Sequence, residues 1–449
     1  MGVSKKDVFI KIALEVSRLL LGTTFLFSGF VKAVDPLGTA YKIQDYLTAI
    51  GMTSLHSIAL PVSIGLCVME FLLGAWLLLG LYRRVVTKLL FLVMLSMAPL
   101  TLYLAIKNPV HDCGCFGDFL ILTNWETFYK NLVLLPCALT TLVWHNRISP
   151  LFSRHTYWLA ALSSAGFILS FTVYNFMFLP VFDFRPYKTG TDLRKLVAEK
   201  SKGDVYQNTF VYEKDGKRQG FTEENYPWKD PSWKFVEMKS VLVKEGKKSE
   251  VEDFAINHLK ISSNRKRIED ETDITESVLN DTSYTFLMTA YSLKDMSESH
   301  LSDFEDISYY AQEHGYKFYC LTASNRKKIL DLIEDLGVNY DFCLTDERVL
   351  KTMVRSNPGL VLLKNGKIIH MWPDSRVPQE KELNKPLDKL SFTKPIDTNQ
   401  VDKDKFLILC IIFVSPLLTL QMIDLIVYKR PKRRKEVGDA REGSKEEEL

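Results

Sequence analysis

The chain has 449 residues, a near-neutral formal charge of +3 and 25% charged residues. That length exceeds one ordinary domain, and the balanced charge excludes the basic footprint of a nucleic-acid-binding protein. The averages hide a segregation: residues 8–182 are dominated by apolar runs, residues 183–404 have a soluble composition, and a last apolar run at 406–428 precedes the basic KRPKRRK.

A helix crossing ~30 Å of hydrocarbon needs roughly 20 apolar residues. Six runs qualify, at about 8–33, 58–81, 86–106, 124–146, 156–181 and 406–428. The first is long, contains Glu15 and Arg18 and lacks a small-residue cleavage pattern, so it reads as a retained helix rather than a secretory signal. Positive residues bias short loops to the cytoplasm. Lys5, Lys6 and Lys11, then Arg83, Arg84 and Lys88, then Arg147 and Arg154, then Lys429 to Lys435 all fall on one side if six helices start from a cytoplasmic N-terminus. The expectation is an integral inner (cytoplasmic) membrane protein with both termini cytoplasmic. Residues 34–57, 107–123 and 183–404 are then extracytoplasmic loops or domains.

The loop before the fourth run reads HDCGCFGD, residues 111–118. Its placement is in a compartment where disulfides persist. A Cys113–Cys115 bridge would close a small ring away from relaxed geometry, an exchanging bond rather than a staple, and Gly114 permits the tight backbone. Three uses stay open: redox exchange, which is favoured, a structural bridge, or half of a metal site. A closed zinc site is short of ligands, with only His111 nearby, so no metal is expected.

Ionisable groups at membrane depth are costly and usually paired. At 1.5 Å per residue, Arg18 lies about 15 Å into the first helix and Glu70 about 18 Å into the second from the opposite side, which predicts an Arg18–Glu70 ion pair. Lys32 and Asp35 fall at the outer interface, where lysine can extend to the headgroups; Lys32 is expected to approach the cysteine loop and favour a thiolate. Asp118 completes that loop. Cys67, Cys137 and Cys410 lie within apolar runs and are expected to pack as small hydrophobes.

Between the fifth and sixth runs, NTFVYEKDGKRQGFT has two extended stretches around a Lys-Asp-Gly-Lys turn, a hairpin signal, and WKFVEMKSVLVKEG adds a strand. Residues 249–282 read as a polar connection. From 284 strands and helices alternate: YTFLMTAY, a helix at 298–314, YKFYCLTAS, NRKKILDLIEDLG closed by Gly337, YDFCLTDE, ERVLKTMVRS, and a hairpin turning at Asn365-Gly366. This order predicts an α/β domain with a mixed sheet. Cys320 and Cys343 occupy equivalent points of successive strands. They are a candidate disulfide if those strands are neighbours. The end, EGSKEEEL, is expected to be disordered.

RLLLGTTFLFSGFVKAVDPLG and LPVSIGLCVMEFLLGAWLLLGLYRR resemble DoxX-like membrane proteins, with Arg18, the SGFxKxxDP segment, Glu70 and Gly74 in matching places. The CGCFGD loop narrows the resemblance to the branch containing the methylamine-utilisation protein MauE, over roughly residues 8–146. It implies disulfide formation or thiol handling during maturation of periplasmic partners, with Cys113 and Cys115 as the redox pair. The four-helix core also looks like quinone-linked disulfide oxidases, but no CxxC stands at a helix end; no cofactor is predicted, and a quinone has no support in the sequence.

The alternating elements, with Asn357-Pro358 before the hairpin, resemble a thioredoxin-like domain of the TlpA and peroxiredoxin type, in which that proline is cis and borders the active site. Where the family carries WCxxC at a helix opening, AYSLKDMSE places Ser292 and Asp295, so the resemblance implies a redox-inactive docking module. The resulting organisation is a DoxX/MauE-like membrane domain (1–182), a β-rich extracytoplasmic segment (183–282), a thioredoxin-like domain (283–395), a terminal transmembrane helix (406–428) and a basic then acidic tail (429–449). The fold class expected is thus a six-helix membrane bundle plus an extracytoplasmic α/β domain. Expected partners are the lipid bilayer and extracytoplasmic protein thiols or disulfides, with no nucleic acid. The rival expectation is an envelope scaffold in which the cysteine loop is structural, and enzymatic activity itself stays open.

Overall fold

The computed structural model describes residues 5–108, 113–200, 205–214, 217–221, 233–244, 254–394 and 398–429. His111, the Asp215-Gly216 turn, most of the basic cluster and the acidic tail, all singled out above, lie outside these residues. The chain divides into two units, residues 1–185 with 396–449, and residues 186–395.

The first unit is helical. It contains α1 (Lys5–Val34), α2 (Pro36–Ala49), α3 (Ala59–Leu79), α4 (Arg83–Lys107), α5 (Asn124–Val143) and α6 (Tyr157–Met177), and the last long helix of the chain joins it. Residues 34–57, expected as a loop, are largely helical: Asp35 caps α2 by accepting from the Gly38 amide at 2.8 Å, and Pro36 occupies its first turn. Thr123 and Glu126 form a capping box at the start of α5. Four stretches are long and apolar enough to cross a membrane: Thr53–Leu79, Arg83–Lys107, Tyr157–Met177 and Thr398–Val427. They account for the second, third, fifth and sixth expected crossings. The other two, α1 and α5, are long helices interrupted by Glu15, Arg18 and Lys32, and by Glu126, Lys130 and Asn131.

Helices α1 and α3 meet backbone to backbone. A Cβ added at Gly74 would lie 2.6 Å from the Gly22 carbonyl oxygen and 2.8 Å from Leu26 Cα, and one at Gly29 would lie 2.7 Å from Phe71 Cα. This close approach sets the register of the pair, Gly29 beside Phe71 and Gly22 beside Gly74. Leu14, Leu21, Phe25, Leu73 and Leu77 pack below it with residues of α4 and α5.

The second unit begins with α7 (Leu193–Lys200) and a three-stranded antiparallel sheet, β1 (Val205–Lys214), β2 (Lys217–Phe221) and β3 (Lys234–Lys244), in the order β2-β1-β3. It continues through β4 (Asn257–Ile261), β5 (Ile268–Asp273), α8 (Thr275–Leu279), β6 (Tyr284–Ala290), α9 (Leu301–Glu313), β7 (Lys317–Thr322), α10 (Arg326–Leu336), β8 (Asp341–Leu344), α11 (Glu347–Met353), β9 (Gly359–Lys364) and β10 (Lys367–Pro373). The seven-stranded sheet has the order β10-β9-β6-β7-β8-β4-β5. Strands β6, β7 and β8 are parallel and the rest antiparallel. Every residue of β6 is buried, as a central strand covered on both faces requires. Asn365 and Gly366 both take positive φ at the hairpin, and Gly337 closes α10 in the left-handed conformation. The Asn357–Pro358 bond is cis, as the thioredoxin-like resemblance implies.

Two expectations change here. Residues 257–273, assigned to the preceding β-rich segment, pair as β4 and β5 and extend the sheet through β8, so the sheet begins well before residue 283. Cys320 and Cys343 do not face each other: Cys320 is in register with Phe342 and Leu321 with Cys343, so the two thiols point to opposite faces of the sheet, and both are free. Helix α12 (Thr398–Ile423) then returns to the first unit and lies on α6, where Asp424 accepts from the Ser153 amide at 2.8 Å and the Thr156 hydroxyl at 3.0 Å. A carboxylate from another segment thereby fastens the turn that leads into α6, bonding a loop amide and the hydroxyl of the N-cap residue Thr156.

Candidate functional site

The cysteine loop folds against the C-terminal half of α1. Gly114 and Gly117 both have positive φ, and the Gly117 amide donates to the Gly114 carbonyl at 3.2 Å, closing a tight turn over Cys115 and Phe116. The Sγ atoms of Cys113 and Cys115 lie 2.9 Å apart as free thiols. Their surroundings differ: Cys113 is half-buried, whereas Cys115 retains 9% of its surface. Phe116 is buried beside Phe27 and Phe119 crosses Phe27 edge-on at 5.2 Å, so aromatic rings fasten the loop to α1. Asp118 lines a shallow recess with Gly114, Gly117, Val31, Asp35 and Arg185.

Beneath the loop sits a buried charged network. Lys32 Nζ donates to both oxygens of Glu70 at 2.7 and 2.8 Å. The Ser28 hydroxyl lies 2.8 Å from Glu70 Oε2 and 2.6 Å from the Cys115 carbonyl oxygen. Ser28 and Lys32 are one helical turn apart on the same face of α1, which brings Glu70 and the cysteine loop to one point. On the other side Lys130 of α5 stands 4.6 Å from the Phe116 ring centroid.

This arrangement corrects two sequence expectations. The Arg18–Glu70 pair does not form. Arg18 Nε and Nη2 donate to the Leu77 and Leu78 carbonyls at 3.0 and 2.5 Å, and Nη1 meets Glu15 at 3.1 Å. Helix α3 ends at Gly80, so Arg18 bonds two carbonyls of its last turn and meets the negative end of its dipole. The depth count assumed that the two helices end flush; the glycine contacts instead set Glu70 level with Ser28 and Lys32. Nor does Lys32 extend to an interface, because it is 6% exposed and held by Glu70.

The thiols are electrostatically unequal. The hydrogen bond from Cys113 and the cations Lys130 and Lys32 lower the Cys115 thiol to about 6, despite its burial. Cys113 is raised, chiefly because it keeps the shared proton and also by burial. The arrangement favours the charge on Cys115 and the proton on Cys113. Ser28, the first residue of the SGFxKxxDP segment, and Lys130 are given no role by the sequence alone, although each leaves a signal: Ser28 precedes Lys32 by one turn, and Lys130 is a charge inside an apolar run.

In the second unit, Ser292 Oγ donates to Asp295 Oδ2 at 2.7 Å and Asn357 Nδ2 donates to the Ser292 carbonyl at 2.8 Å. Ser292, Asp295 and the cis Pro358 therefore gather where β6 ends and β9 begins, at one end of these interior strands. No helix opens at Ser292; α9 begins at Leu301. Among the described residues no cluster of three or more His, Cys, Asp or Glu side chains is gathered for a metal.

The paired cysteines, the glycine-packed helices and the loop ahead of α5 all lie within one stretch of the chain. Residues 10–144 match the family of methylamine utilisation protein MauE. In this chain the MauE-like domain is fused to a thioredoxin-like domain. Residues 206–245 match a domain of unknown function, DUF8463. No curated protein matches the chain. Among solved structures, a candidate protein disulfide isomerase from Bacteroides thetaiotaomicron is 15% identical and covers 29% of this chain and 78% of its own, with a TM-score of 0.22. StoA from Bacillus subtilis is 16% identical and covers 29% of this chain and 93% of its own, with a TM-score of 0.22.

Proposed function

We propose that the protein is a membrane thiol–disulfide exchange protein in which Cys113 and Cys115 trade electrons with thiols of extracytoplasmic partner proteins. In this reading six helices cross the bilayer, with α1 and α5 joining the four apolar spans, and both termini are cytoplasmic. Lysine and arginine at both termini and in the two intervening loops support that orientation. The thioredoxin-like domain carries Ser292 and Asp295 where exchange would need sulfur, so it docks partners rather than oxidising them. Anchored through α12, it raises the effective concentration of a docked partner near the loop.

The observation that carries this reading is the pairing of the Cys113 and Cys115 thiols at 2.9 Å over a buried Lys32–Glu70–Ser28 network. A structural tie needs neither a free thiol pair nor flanking cations. The test is differential alkylation in native membranes before and after a mild oxidant or reductant. Reversible interconversion of dithiol and disulfide is expected. A pair that stays in one state throughout overturns the reading and leaves the scaffold role.

A further inference from the structure

Resting on the exchange chemistry just proposed, we infer that the pair works in the oxidising direction: Cys113 is the sulfur a partner thiolate attacks, Cys115 is the sulfur that leaves, and Lys130 is the positioning residue that holds the departing thiolate. Three geometric facts divide the roles. Cys113 is half-buried and open to approach, whereas Cys115 is 9% exposed and its carbonyl is within hydrogen-bond reach of Ser28. Lys130 stands over the ring of Phe116, the residue next to Cys115, and among the described residues no carboxylate forms an ion pair with it. Lys32, the other nearby cation, is already joined to Glu70 at 2.7 Å. The charged and titratable groups around Cys115 are thus Lys130 from α5, Lys32 from α1, Glu70 and Cys67 from α3, and Cys113 and Asp118 from the loop. Of these, Lys130 is the cation not already neutralised. The lowered Cys115 thiol agrees with this arrangement.

The step balances within the two proteins. A partner thiolate attacks Cys113 Sγ, forming a mixed disulfide and breaking the Cys113–Cys115 bond, and the electron pair leaves on Cys115 as thiolate. The partner's second thiolate then attacks its own sulfur in the mixed disulfide, and Cys113 departs and takes up a proton. The partner dithiol becomes a disulfide and the loop disulfide becomes a thiol and a thiolate. A low-pKa thiol leaves faster, and a stabilised reduced form makes the disulfide a stronger oxidant. Placing the stabilised thiolate on the shielded sulfur directs attack to the open one.

The experiment equilibrates the full-length, detergent-solubilised protein with reduced and oxidised glutathione and reads the disulfide fraction by alkylation and mass spectrometry. Lys130→Gln is expected to shift the equilibrium at least tenfold toward the disulfide, about 30 mV, while Lys130→Arg stays within twofold of the unaltered protein. In a second arm, Cys115→Ser should capture glutathione on Cys113, and Cys113→Ser should leave Cys115 unmodified. An unchanged equilibrium in Lys130→Gln, or capture by Cys115 in preference to Cys113, overturns the inference while leaving exchange intact. If glutathione cannot oxidise the pair at all, the exchange reading itself fails.

Discussion

Replacing Lys32 by methionine isolates the strongest interaction beneath the cysteine loop. Both Glu70 oxygens lie within 2.8 Å of Lys32 Nζ, and the two side chains retain only 7% and 12% of their surface. Lys32→Met leaves a buried carboxylate with the Ser28 hydroxyl as its remaining neighbour. Removing one partner of a buried pair costs about 3–5 kcal/mol, whereas replacing both by apolar residues of similar volume is close to neutral. The single variant should therefore lose about 10²- to 4 × 10³-fold in its unfolding equilibrium, and Lys32→Met with Glu70→Leu should recover most of it. Urea unfolding of the detergent-solubilised protein, arranged as a double-mutant cycle, measures the coupling. Additive losses would refute the pairing, as would strong coupling between Arg18→Met and Glu70→Leu with none to Lys32.

Gly74→Val should destabilise the helical unit by more than about 1–3 kcal/mol, because its Cβ meets the Gly22 carbonyl, while Gly65→Ala, with nothing within 4 Å, serves as a neutral control in the same melt. Asp424→Ala removes two hydrogen bonds to a carboxylate and should cost about 1.5–3 kcal/mol per bond at most; Asp424→Asn should retain part of that, read as thermal stability in detergent. Because Cys115 is lowered, its thiolate is present above about pH 6 and is lost as pH falls through that value. Its iodoacetamide labelling, resolved from Cys113 by mass spectrometry, should show a midpoint near there. Lys130→Gln should move that midpoint upward.

Much of the second unit is legible in sequence because its signals are local. The run YTFLMTA is apolar enough for a strand covered on both faces, and Asn365-Gly366 dictates a tight hairpin. Strand β5 is not legible: IEDETD exposes five of its six residues, so nothing in its pattern separates an edge strand from a polar linker. Only its pairing with β4 reveals it. Similarly, equivalent positions in two strands suggested a Cys320–Cys343 bridge, but register is a tertiary property, and a one-residue offset reverses the face.

In the helical unit the charged residues were legible as a set, and their partners were not. Arg18, Lys32 and Glu70 all stood out as ionisable groups in apolar runs. Which of them meet depends on how far α1 slides along α3, and that is decided by the bare backbones at Gly22, Gly29 and Gly74. Helix α2 could have been recognised from Asp35-Pro36, a cap followed by proline in the first turn. The thiol pair itself was visible, but the inequality of its sulfurs comes from Lys130 and Ser28, brought there from other helices.

The latch between α6 and α12 bears on how the chain is assembled. The tilted rings of Phe167 and Phe413 meet with centroids 4.9 Å apart, and Lys405 donates to the Val181 carbonyl at 2.9 Å, so α12 enters beside α6 and the chain that leaves it. Residues 186–395 are therefore inserted between neighbouring points of the helical unit. A short glycine–serine bridge across that splice should leave the helices assembled, and a foreign domain with adjacent termini should be accepted in its place.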